Sequence, residues 1–291
     1  MITFVIYHVP LPKETVKSSK VLLSFHRMNF DYSRMLDLAF RSAILFHPEC
    51  RIVLLTSLQH QPQFSSGIAD KVEIFRYDVN ETQPMTGRMW AEFNYLCEHD
   101  FTSHVVVLDS DMLVNANLED IFGADFDIAL TYNEGKTETD KKMPINAGLK
   151  LVHSHHREGA IRFFQQAYEL CNSDHLAQYR TWWGDQYALI EAVGADNFWK
   201  RSRDEITVND IKIQLLPCDD FNFTPRRKAR EIRDELKNKK VLHFRGARKR
   251  YMFMYWRLYL SLREKQGFMN RLSALITRAH LRVGMILQYK R

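Results

Sequence analysis

The sequence predicts an α/β fold, a mixed and mainly parallel sheet flanked by helices with a helical tail at the C-terminus. Three observations predict it. Short β-forming runs alternate with stretches of helical periodicity through the first hundred residues, which is how crossover helices build parallel sheets. The run Val105-Val106-Val107-Leu108 is apolar without a break, as in a strand covered on both faces. The 291 residues are 45% hydrophobic and 26% charged, enough apolar material for one large core.

Residues 2–7 cluster β-formers at the start of the chain, and residues 21–25 form a second expected strand. Met35, Leu38, Ala39, Ser42, Leu45 and Phe46 recur at helical spacing behind the capping candidates Asp31 and Ser33. His47-Pro48 ends that helix, because proline drives the residue before it out of the α region. Strands are expected at 51–56 and 72–76, a helix at 89–97, and then the apolar strand 105–108. Beyond it, 127–132 and 149–152 read as strands around a polar loop, 133–142. Helices follow at 158–171 and 184–193, and strands at 211–216 and 241–244. With no repeat and no low-complexity linker, one continuous domain is expected over residues 1–250, with a basic amphipathic helical tail over 251–291.

A net charge of +6 conceals a polarity. Residues 226–291 hold 20 Lys and Arg against four Asp and Glu, while the preceding residues hold 21 against 31. An acidic body with a basic tail points to an anionic surface, and no nucleic-acid-binding motif accompanies the charge. From residue 268, Leu272, Leu275, Ile276, Ala279, Val283, Ile286 and Leu287 keep helical spacing beside Arg271, Arg278 and Arg282. Tyr251 to Trp256 is apolar and aromatic, so the tail reads either as a basic amphipathic helix at a membrane face or as a helix packed on the body or on a second copy. No run approaches the ~18 apolar residues of a membrane span, and no signal peptide opens the chain, so a cytoplasmic enzyme, peripheral at most, is expected. Cys50, Cys97, Cys171 and Cys218 lack paired spacing and read as reduced thiols.

Asp109-Ser110-Asp111 follows directly on the apolar strand. In open α/β sheets, ligands collect beyond the carboxyl ends of the strands. Residues two apart in an extended segment point the same way, so Asp109 and Asp111 can aim both carboxylates at one hard divalent cation. His153, His155 and His156 also cluster, but with neither acid nor cysteine beside them they read as a polar patch at a strand end.

Four segments occur in order: Leu108-Asp109-Ser110-Asp111, Ile145-Asn146-Ala147-Gly148, Gly184-Asp185-Gln186 and His243-Phe244-Arg245-Gly246-Ala247-Arg248-Lys249. Together they resemble the nucleotide-sugar-dependent glycosyltransferases of the GT-A fold, and within those glycosyltransferase family 8. The resemblance implies a nucleotide-sugar donor, most simply a UDP-hexose, a saccharide or glycolipid acceptor, a divalent metal and retention of anomeric configuration. It matches Asp109, Asp111 and His243 to the metal ligands, a set whose imidazole favours Mn²⁺ over Mg²⁺. It matches Lys249 to the lysine that neutralises the diphosphate, with Gly246 letting the backbone approach the phosphates and Ser110 within the donor-binding segment. Asn146, Asp185 and Gln186 match positions that hold the donor sugar and line the reacting centre, and Arg88 matches a basic residue that contacts the donor. Trp182-Trp183 offers flat faces of the kind sugars stack on. The family follows its lysine with Pro-Trp, where this chain has Arg250-Tyr251. Two other readings stand beside this one: a same-fold nucleotidyltransferase, which Pro10-Leu11-Pro12-Lys13 serves poorly as a phosphate loop, and a non-catalytic nucleic-acid- or membrane-binding protein on a relic sheet.

Overall fold

A computed structural model describes residues 1–12, 31–133, 143–199, 204–225, 236, 238–264, 272 and 276. Its centre is an eight-stranded sheet of order β3-β2-β1-β4-β7-β6-β9-β8. The strands are β1 (Ile2–Tyr7), β2 (Arg51–Ser57), β3 (Val72–Tyr77), β4 (His104–Leu108), β6 (Ile128–Tyr132), β7 (Ile145–Val152), β8 (Glu205–Val208) and β9 (Ile211–Pro217). β1 to β4 pair in parallel, β7 and β8 run antiparallel to their neighbours, and β6 pairs in parallel with β9. The sheet is therefore mixed and mainly parallel. β5 (Met112–Val114) and β10 (Val241–His243) form a separate antiparallel pair.

Four helices cover the faces: α1 (Tyr32–Phe46), α2 (Pro84–Glu98), α3 (Arg157–Asn172) and α4 (Gly184–Val193). The Asp31 carboxylate caps α1 by accepting from the Arg34 N–H at 3.0 Å. α2 begins five residues before its apolar periodicity, with Pro84 in the first turn, where a missing N–H costs nothing. α1 and the β5–β10 pair close one apolar layer around Phe4, Phe40, Leu54 and Val106. α2, α3 and α4 close the other around Val5, Val107, Phe163 and Leu189. At ~25 cal/mol per Å² of apolar surface removed from water, these two layers are the principal stabilising term.

The stretch after Lys249 is part of this body. Helix α5 (Lys249–Tyr255) continues through residue 264, and Met252, Tyr255, Trp256 and Leu260 are buried in the layer of α1. Arg41 pairs with Glu264, and its guanidinium lies 5.2 Å from the Trp256 ring. The aromatic run that the sequence offered to a membrane is spent on packing. Expected strand 21–25 lies outside the described residues, as does most of 268–291 and of loop 133–142. Two short strands, β5 and β8, escaped the sequence reading because three or four residues carry too little periodicity to register. Among the described residues no helix is long and apolar enough to cross a membrane.

Candidate active site at the carboxyl edge of the sheet

β4 ends at Leu108 and the chain turns at once: the Asp109 N–H donates to the Gly148 carbonyl at 2.9 Å, and the Met112 N–H to the Asp109 carbonyl at 3.1 Å. This turn carries both acids to the sheet's edge and feeds β5. Pairing of β5 with β10 sets His243 opposite Met112, and the Phe244 N–H donates to the Asp111 carbonyl at 2.9 Å. A residue distant in sequence is thereby fixed beside the acid pair. His243 Nε2 stands 3.1 Å from Asp111 Oδ1 and 3.4 Å from Asp109 Oδ2.

A chain of hydrogen bonds orients that imidazole. The Asn222 amide NH₂ donates to Thr131 Oγ1 at 2.8 Å, and the Thr131 hydroxyl donates to the Asn146 carbonyl at 2.9 Å. The Asn222 carbonyl oxygen is left to accept from His243 Nδ1 at 2.8 Å. With its proton on Nδ1, the ring turns the Nε2 lone pair toward two carboxylates. Three electron-rich donors facing one point are complementary to a cation, and their ligating atoms all lie within 4.8 Å of one another. Gly148 keeps the space clear, since a Cβ there would stand 2.8 Å from His243 Cε1 and 2.9 Å from Asp109 Oδ2. The residues present fit a divalent metal, with Asn222 as the outer partner that such histidine ligands use.

Lys249 adds the positive charge. Gly246 adopts φ +61°, the left-handed region that favours glycine, and lets the chain turn from Arg245 into the single turn Gly246–Arg248 that precedes α5. Lys249 then lays its ammonium on Asp111 Oδ2. Burial opposes ionisation of Asp111, but the Lys249 ammonium laid against it outweighs burial and holds the carboxyl well below its usual range. Tyr32 and His8 stack nearby with ring centres 5.5 Å apart, and burial together with His60 and Lys249 pushes the His8 imidazole down to about 3.

On the other side of Asp109 lies a buried ionic cluster. Arg88, on α2, places Nη1 2.6 Å from Asp109 Oδ1 and 3.2 Å from Asp185 Oδ2, and Nε 2.7 Å from Glu92 Oε1. Burial disfavours its charge, yet Asp109, Glu92 and Asp185 hold the guanidinium firmly protonated. Asp185 is raised by burial, against the opposing pull of Arg88 and Lys150. It sits in the first turn of α4, where the helix dipole favours a carboxylate, and its Oδ1 accepts from the Gln186 N–H at 2.8 Å. Trp183, just before α4, holds φ +73° with 45% of its surface exposed. A bulky residue in that region is strained, and such strain concentrates at functional sites.

Asp109, Asp111, His243, Lys249 and Arg88 are brought into one ionic array. Asp185 joins it through Arg88. Asn146 serves the backbone, its side-chain oxygen accepting from the Gly148 N–H at 3.0 Å. Gln186 and Ser110 are half-buried beside Asp185 and between the two acids, and Gly246 shapes the turn before Lys249. Asn222, Glu92 and Lys150 were missed. Glu92 had a signal, four residues after Arg88 on one helix face; Lys150 had one too, a lone charge inside the apolar strand β7. Asn222 had none, because only the tertiary fold sets it against His243. Among the described residues, the grouping able to hold a metal ion is Asp109, Asp111 and His243.

No protein-family model matches the sequence, and no curated protein matches it either. Solved structures do. The glycosyltransferase GlyE of Streptococcus pneumoniae is 15% identical with a TM-score of 0.52, over 90% of this chain and 63% of that one. A glycosyltransferase involved in glycosylation of the major capsid of PBCV-1 is 17% identical with a TM-score of 0.49, over 87% of this chain and 98% of that one. The galactosyltransferase LgtC, solved with donor and acceptor sugar analogues, is 15% identical with a TM-score of 0.45, over 84% and 87%. The chain has the GT-A glycosyltransferase fold.

Proposed function

We propose that the protein is a metal-dependent glycosyltransferase that moves a hexose from a nucleotide sugar, UDP-linked, to a saccharide or glycolipid acceptor with retention. The observation that carries this reading is the convergence of two carboxylates and an imidazole lone pair on one point, with Lys249 against them, at the carboxyl edge of a GT-A sheet. Asp109, Asp111 and His243 would hold the metal, Mn²⁺ or Mg²⁺, which supplies Lewis-acid neutralisation of the departing diphosphate. Lys249 is placed to add a positive charge to the same leaving group, where charge develops most in the transition state. Arg88, clamped by three carboxylates, has no freedom to reorganise and so presents a fixed charge beside Asp109. Asp185 and Gln186 face the donor sugar, where paired hydrogen bonds discriminate hydroxyls. The exposed Trp183 ring, next to Gly184, offers an acceptor sugar a stacking surface. In a front-face transfer, the bond from the anomeric carbon to the phosphate oxygen breaks, the bond to the acceptor oxygen forms, and the acceptor proton passes to the departing phosphate.

Calorimetry with UDP and GDP, with and without Mn²⁺, tests the core of this reading. UDP binding that requires Mn²⁺ is the expected result, and equal binding with and without the metal would overturn it. A screen of nucleotide sugars that reads released nucleoside diphosphate then identifies the donor, and proton NMR of the first-formed product gives the anomeric outcome. For location, we propose a cytoplasmic enzyme whose residues 268–291 engage an anionic membrane face. Their removal is expected to weaken co-sedimentation with anionic liposomes at low salt while sparing transfer to a soluble acceptor; full-length protein that ignores such liposomes refutes it.

A further inference from the structure

Lys150 is 0% exposed in the middle of β7, and neither end of its side chain reaches solvent. A buried lysine is unfavourable unless its charge is matched, and two groups match this one. Its Nζ lies 3.0 Å from Glu92 Oε2 and donates to the Ala147 carbonyl at 3.1 Å. Burial and the Arg88 charge weaken its hold on a proton, while Glu92 and Asp185 strengthen it.

Both of those partners are shared with Arg88. Glu92 gives Oε1 to Arg88 Nε and Oε2 to Lys150, so one carboxylate joins the two cations. The Ala147 carbonyl accepts from Arg88 Nη2 at 3.0 Å as well as from Lys150. That carbonyl is available because β7 bulges here. Leu130 of β6 pairs with Lys150 and the next residue, Thr131, pairs with Asn146, so residues 147–149 have no partner on β6. The same bulge delivers Gly148 to the space beside Asp109 and His243.

Removing Lys150 would leave Glu92 Oε2 buried with no cation beside it. Arg88 is the neighbouring cation, already holding Glu92 through Nε and extending Nη1 to Asp109 and Asp185. Drawn further toward Glu92, it would leave the acids it serves. Enclosed and fully engaged, Lys150 cannot itself touch a substrate. We propose that Lys150 is a positioning residue of this site: through Glu92 and the Ala147 carbonyl it fixes the Arg88 guanidinium that Asp109 and Asp185 share. This deepens the transferase reading and rests on it for the consequence in turnover.

The test compares wild type, Lys150→Met and the double variant Lys150→Met with Glu92→Gln. The double variant removes both charges and keeps a side-chain carbonyl to accept from Arg88 Nε. Nitrogen-15 NMR of the Arg88 Nε–H reads positioning without any activity. A resolved Nε–H signal is expected in wild type, displaced in Lys150→Met as the guanidinium moves toward Glu92 and returned toward its wild-type position in the double variant. UDP release from UDP-glucose and UDP-galactose reads the consequence: turnover lower by about tenfold in Lys150→Met, with UDP affinity in Mn²⁺ changed by less than about threefold, and recovery in the double variant. An unchanged Arg88 signal in Lys150→Met overturns the inference. So does a double variant as impaired as the single one, which would reduce Lys150 to packing. Wild-type protein that binds no UDP in Mn²⁺ would overturn the transferase reading instead and leave the NMR result to decide the role of Lys150.

Discussion

The two ends of strand β4 each carry a dense group of titratable side chains, and the two groups meet opposite electrostatic conditions. At the amino end, His104 stacks on Phe122 with ring centres 4.0 Å apart and accepts the Ser154 N–H on Nδ1 at 3.1 Å. His153 accepts the His155 N–H on Nδ1 at 3.2 Å and donates from Nε2 to the Phe122 carbonyl at 3.1 Å. His104 and His153 are thereby bound as neutral rings, and burial pushes both down, His104 to about 4. At the carboxyl end, about 16 Å away along five residues of strand, nothing is settled so locally. There two carboxylates and a lone pair face each other and need positive charge. Titratable groups alone do not mark a site; convergent groups of one polarity do.

Three substitutions sharpen that contrast. Asp111→Asn should have the largest effect, since it removes one of three donors: UDP affinity in Mn²⁺ should fall by about 100-fold in calorimetry, and transfer should be lost. An unaltered affinity would place the metal elsewhere. Asn222→Ala should weaken the same affinity by about tenfold, because the imidazole loses the acceptor that turns Nε2 toward the acids. If it has no effect, the orientation of His243 is set by β10 alone.

The smallest effect belongs to the amino end and concerns stability. A histidine whose folded pKa is depressed below its unfolded value of about 6.5 stays neutral in the folded chain while the unfolded chain takes up a proton. Its contribution is complete above the unfolded pKa and declines as pH falls from there through about 4. Melting temperature should therefore drop between pH 6.5 and 4, and His104→Asn, which keeps an acceptor for the Ser154 N–H, should flatten that drop. A variant with the wild-type slope would assign the acid sensitivity to other groups. UDP affinity in Mn²⁺ at neutral pH should be unchanged by the same substitution.

Much of the array was legible because its residues lie in short local patterns. Asp109 and Asp111 follow a buried strand, and Asp185, His243 and Lys249 stand in short ordered motifs that resemble glycosyltransferase family 8. The supporting groups were less legible. Lys150 was visible only as an anomaly within an apolar strand, and its meaning depended on Glu92 arriving from α2. The aromatic run 251–256 was open to two readings, since a buried helix and an interfacial one share the same apolar pattern; contacts with α1 assigned it to the core.

By itself the sequence determined the succession of the longer strands and helices, the mainly parallel sheet and the acids at its edge, because periodicity and turn chemistry act over a few residues. The tertiary structure decided what those acids face. The β5–β10 pairing brings His243 to Asp111, Asn222 turns its lone pair inward, and the bulge in β7 delivers Gly148 and the Ala147 carbonyl. Each of these joins residues far apart along the chain, and the free energy that selects them resides in contacts that exist only once the layers have packed.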